Sequence, residues 1–169
     1  MIRILVCMCL LGGVVSLSGE LSPAVAPSNP LTFQTELGSV PTTKDPLLVR
    51  LTGIVTPERT TMQVEVDGRA LSLEAALSMA SLLDQAIERA RGRQEFSSEL
   101  DGVEVKVKEK KDAYEVRVNL PGDGLFKRAM RMDSDSAFLL SRLMRRAHAT
   151  AQWLQPRIAP LLDEAEPAL

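Results

Sequence analysis

The chain has 169 residues, enough for one ordinary domain plus a tail or linker. Hydrophobic residues at 45% exclude global disorder, and aromatics at 4% leave little for base stacking or an aromatic ligand cage. A net charge of -2 exerts no global pull on nucleic acid or acidic membranes, so an anionic partner would need a local basic patch.

The first predicted element is a secretory signal peptide over residues 1–18. Arg3 supplies the positive start, and Ile4 to Val15 (ILVCMCLLGGVV) is an apolar run without a charge. Ser16-Leu17-Ser18 places small residues where a signal peptidase reads them, so cleavage near Ser18 leaves Gly19 first. Cleavage at Ala24-Val25-Ala26 is worse, because Pro27 would follow it. The run is shorter than the roughly 20 apolar residues a spanning helix needs. Cys7 and Cys9 lie in its middle, where a lipoprotein cysteine would not be, and Cys-x-Cys without further ligands is a weak zinc signal. Both are read as apolar filling. The mature protein, periplasmic or extracellular, then has neither disulfide nor thiolate and a net charge of -3. The alternatives are an uncleaved anchor, with membrane contact only in that case, or a buried N-terminal element.

Residues 19–46 carry five prolines with several Ser and Thr and no sustained period, which predicts an extended tether; an irregular arm packed on the domain is the other reading. A single domain is expected over residues 47–160. Leu47–Val55 (LLVRLTGIV) is β-prone, though its place in the sheet is open. Met62, Val64 and Val66 alternate with Gln63 and Glu65 as a half-buried strand, and Asp67-Gly68 makes a tight turn. Ser72 is a helix N-cap with Glu74 near the positive end of the dipole. Leu73, Ala76, Leu77, Ala80, Leu83, Ile87 and Ala90 form one helical face, and Gly92 ends the helix.

Three further strands are predicted around Val103–Val107, Val116–Leu120 and Phe126–Met132, joined as an antiparallel meander. A second helix runs from Ser134 to Gln155, capped by Asp133 or Ser134. Ala137, Leu140, Met144, Ala147, Ala151 and Leu154 line one side, and Pro156 and Pro160 break it. Residues 161–169 form an acidic tail. The expected fold is α+β: an antiparallel sheet of about four strands, in β-α-β-β-β-α order, with two helices packed on one face. No internal repeat aligns beyond apolar periodicity.

Chemistry-bearing patterns are few. His148 is the lone histidine, at the edge of the second helix's apolar line, and reads as structural. Asp133-Ser134-Asp135-Ser136 resembles the start of a calcium loop, but Phe138 stands where Gly is needed and Met144 where Glu is needed. No cofactor or metal is expected. Helix–strand–strand–strand–helix is also the order of double-stranded-RNA-binding domains, whose second helix opens on lysines that grip phosphate. Here MDSDSAF puts two aspartates at that place, and nucleic acid is not expected as a partner.

The basic residues Lys127, Arg128 and Arg131 on the last strand and Arg142, Arg145 and Arg146 on the second helix are the candidate binding set. Should they converge, they suit an unidentified anionic ligand or protein: a phosphate, an anionic lipid head group or an acidic partner. The sequence therefore reads as an exported, non-enzymatic binding module. Two readings compete with it. One is a self-associating envelope protein using Phe138, Leu139 and Trp153 as an apolar stripe. The other is a hydrolase-type enzyme without thiol or metal chemistry.

Overall fold

Alternation along the strands and a 3.6-residue period along the helices build the observed elements. The computed structural model describes residues 30–42, 45–56, 59–111, 113–121 and 129–163, with side chains as far as Ile158. The signal peptide expected over residues 1–18, most of the tether before residue 30, and the tail from residue 164 lie outside them. In chain order the elements are β1 (Leu31–Val40), β2 (Leu47–Val55), β3 (Thr60–Val66), β4 (Arg69–Ser72) and α1 (Leu73–Arg91). There follow β5 (Phe96–Leu100), β6 (Val103–Lys110), β7 (Ala113–Asn119), β8 (Met130–Met132) and α2 (Ser134–Asp163).

The class is α+β with antiparallel pairing throughout, but the strands form two sheets of four, β1-β2-β3-β4 and β5-β6-β7-β8. β2 shows why. Leu47, Val49, Leu51 and Val55 are buried on one face, while Leu48, Arg50, Thr52 and Ile54 are half-buried on the other. Asp67 and Gly68 have φ of 51° and 73°, and Asp101 and Gly102 have 51° and 76°. Two consecutive left-handed residues suit the twist of the hairpins β3–β4 and β5–β6, and glycine takes the second position without strain.

Three strands depart from expectation. Residues 31–40, read as tether, form β1 and pair along β2 from Leu31↔Val55 to Val40↔Leu47. An irregularity between Glu36 and Gly38 shifts the register, which hides the alternation a strand would otherwise show. β4 and β5 are short edge strands in which few residues are buried, so they carry no periodic signal. Close approach also marks β1: Phe33 lies over Gly53, where an added Cβ would come within 2.0 Å of its ring.

The helices pack on each other and each touches both sheets. Ser72 Oγ accepts the Ala75 N–H at 3.0 Å, capping α1 as expected, and the Gly92 N–H bonds back to Glu88 O. α1 packs chiefly on β5, β6 and β7, the sheet that follows it, while α2 packs chiefly on β1, β2 and β3 and along α1. Each helix thus follows one sheet and covers the other, and one apolar cluster joins both sheets and both helices. The order β-β-β-β-α occurs twice, a repetition of topology that the residue types do not announce. α2 continues through Pro156 and Pro160 to Asp163, correcting the expected end at Gln155. Pro156 cannot donate to the Gln152 carbonyl, but that turn is exposed, so solvent reaches the released group. Among the described residues no helix is long and apolar enough to cross a membrane.

The phase of α2 is testable with neighbouring leucines. Leu140 is fully buried and Leu139 is 38% exposed. Leu140→Ala should cost about 2–5 kcal/mol in urea unfolding, and Leu139→Ala less than about 0.5 kcal/mol.

Candidate functional site

α2 begins at Asp133, whose Oδ1 accepts the Ser136 N–H at 2.8 Å; that bond chiefly holds the Asp133 carboxyl below its ordinary range. The acidic start therefore serves as a cap. Beyond it, Ala137, Leu140, Met144, Ala147 and Ala151 are fully buried, along the line the sequence predicts. The opposite side carries Phe138, Leu139, Arg142, Arg145, Arg146, Trp153 and Arg157, all exposed. Phe138 is 47% exposed and Trp153 52%, large fractions for aromatic side chains. Arginines lie on both rings. The Arg142 guanidinium is 5.9 Å from the Phe138 centroid and that of Arg157 is 4.0 Å from the Trp153 ring, within cation–π range. Arg157 also donates to the Trp153 carbonyl at 2.6 Å. His148 is half-buried at the edge of the helix's apolar line.

Among the described residues of the basic set singled out from the sequence, Arg131 lies on the second sheet and Arg142, Arg145 and Arg146 lie on α2. Lys127 and Arg128 lie outside the described residues. Arg145 pairs with Asp84 of α1, whose other oxygen accepts the Ser141 hydroxyl at 2.6 Å. It closes a latch between the helices. Arg146 donates to the Leu37 carbonyl of β1 at 3.4 Å. Arg131 sits between the buried Met130 and Met132 and so faces outward, away from the helices. Arg142 remains with the aromatic residues. Trp153, already on the stripe read from the sequence, and Arg157, which α2 reaches only past Pro156, complete this face.

Arg131 belongs instead to the outer face of the second sheet. Lys106, Arg117 and Arg131 are direct cross-strand neighbours on β6, β7 and β8. Like charges so placed repel. Two carboxylates offset them. Glu104 pairs with Lys106 and accepts from Asn119 at 2.7 Å. Glu115, buried, accepts from Lys110 at 2.9 Å and Arg117 at 2.7 Å, with Arg131 at 4.0 Å. Burial pulls the Glu115 carboxyl upward, but the bonds from Lys110 and Arg117 outweigh it and hold the group below its ordinary value. These cations are held by the sheet's own acids. An open depression of about 390 Å³ at the β5–β6 edge, lined by Glu95, Phe96, Ser97, Lys106, Val107 and Lys108, includes no residue of α2.

No family model matches the chain, and no curated protein matches it. A solved structure, reported with work on mutations in SsgB that correlate to longitudinal cell division during sporulation of Streptomyces coelicolor, is similar over 81% of this chain and 94% of its own. Identity is 12% and the TM-score 0.30, an overlap too loose to carry fold or function across.

Glu115→Gln should destabilise the protein by about 1–2 kcal/mol at pH 7, because the cations would lose their shared carboxylate. The folded-state value of Glu115 is depressed, so its contribution is present above the unfolded value near pH 4.3 and is lost as pH falls through the lower folded value. Urea midpoints at pH 6 and pH 3 should therefore fall further for the wild type than for Glu115→Gln.

Proposed function

We propose that this protein is an exported interaction module that binds an anionic partner through the outer face of α2. Arg142 and Arg157 carry the charge, while Phe138, Leu139 and Trp153 supply apolar contact. The observation that carries the reading is the joint exposure of these side chains on one helix face, with arginines over both rings. Aromatic residues and arginine are the types that dominate protein contact energetics. The apolar run after Arg3, with Ser18 at its small-residue end, supports export.

Self-association through the same face is the second reading, favoured by Phe138 and Trp153. Arg142, Arg145 and Arg146 oppose it: in a two-fold pairing along the helix they would meet the corresponding arginines of the second copy.

Two measurements test the proposal. The protein should bind a sulfonated cation-exchange resin at pH 7 despite its net charge of -2. The double variant Arg142→Glu/Arg157→Glu should elute at clearly lower salt with an unchanged unfolding midpoint, whereas Lys108→Glu on the second sheet should elute like the wild type. Equal elution of all three would refute the assignment to α2. Separately, intact mass of the native protein should show a species beginning at Gly19 outside the cytoplasm; a full-length cytosolic species would end the export reading.

A further inference from the structure

The face of α2 has a shape as well as a composition. Phe138 and Trp153 are fifteen residues apart, so their rings stand about 22 Å from each other along the axis. Leu139 stands beside Phe138, Arg142 lies between the rings, and Arg157 folds back over Trp153. These side chains run in one line along a regular helix whose other side is already used by the core. Such a line fits a plane.

We infer that the partner is a lipid surface carrying anionic head groups, with α2 lying along it. This rests on the α2 reading above and names the partner of that same face. The physical grounds are complementary charge and amphipathic length. Trp is suited to the boundary between head groups and acyl chains, because its ring is apolar and its N–H can stay wet. Arginine can lay its stem along apolar surface and keep its guanidinium among phosphates. Among the described residues, Arg142 and Arg157 have no carboxylate within ion-pair distance and are turned toward the rings instead. A bilayer surface supplies many anions in a plane and meets all of these groups together. A second copy of the chain would bring its own arginines to the same line. The N-terminal segment is not required for this contact, which is peripheral.

The chain has a single tryptophan, so its emission reports this face alone. The full chain is titrated with vesicles of phosphatidylglycerol and phosphatidylcholine, and in parallel with phosphatidylcholine alone. The expected result is a shift to shorter wavelength with the anionic vesicles only, lost at about 1 M salt, where charge is screened beyond roughly 3 Å. Arg142→Gln and Arg157→Gln should each weaken vesicle binding about five-fold, and Lys108→Gln should leave it unchanged. A shift that grows with protein concentration in buffer alone means that a second copy covers Trp153, and overturns the inference. An equal shift with neutral vesicles overturns it as well. No shift with vesicles, while resin binding still depends on Arg142 and Arg157, removes the lipid surface and leaves an acidic macromolecule as the partner. Loss of both signals removes the α2 reading itself.

Discussion

Everything in this molecule depends on the packing of α1 against α2. A four-stranded meander with one apolar face is not stable with that face in water, and each of the two sheets here has such a face. Neither sheet is covered chiefly by the helix that follows it directly: α1 turns to the second and α2 returns to the first. The helix pair is therefore the centre of the fold, and each half lacks its main cover without the other. Asp84 marks the seam. It receives Ser141 and Arg145 from α2, one turn along α1 from the fully buried Ala80. Because the Ser141 hydroxyl donated to Asp84 also lies 3.3 Å from the Ala80 carbonyl, the crossing is set by polar as well as apolar contact.

The same constraint sorts the cations. An arginine near the seam is drawn into it, as Arg145 is by Asp84 and Arg146 by the β1 backbone. Cations on the outer face of the second sheet are spaced by the strands themselves, too close to coexist without an acid among them, and Glu115 and Glu104 fill that need. The α2 arginines left over, Arg142 and Arg157, lie on its far side, where no other element of the described structure competes. Charge availability is thus a consequence of topology. The basic residues of the last strand and second helix, read from the sequence, do not by themselves say which guanidinium is occupied.

Local features were legible in the chain because their causes are local. The Ser72 cap, the Asp67-Gly68 turn and the buried line of α2 each depend on residues within a few positions of one another, and each stands where the sequence puts it. β6 and β7 were legible because valine alternates with charge over several residues. β1 was not, since its register shift near Gly38 breaks the period and its polar residues look like linker. β4 and β5 take their strand form from pairing with β3 and β6 rather than from their own pattern. The extension of α2 past Pro156 escaped for the opposite reason: proline is a strong local signal, and here an exposed turn tolerates it.

By itself, then, the sequence determined the class of fold, both helices with their N-terminal caps and much of their inner faces, and the strands whose alternation is long enough to see. Tertiary structure alone decided that there are two sheets, that the helices cross to cover them, and which arginines stay available. The physical reason is range. Propensity, capping and alternation act within about a turn of chain. The Asp84–Arg145 pair joins residues 61 apart, Arg146 reaches a carbonyl 109 residues away, and neither contact exists until the core has closed.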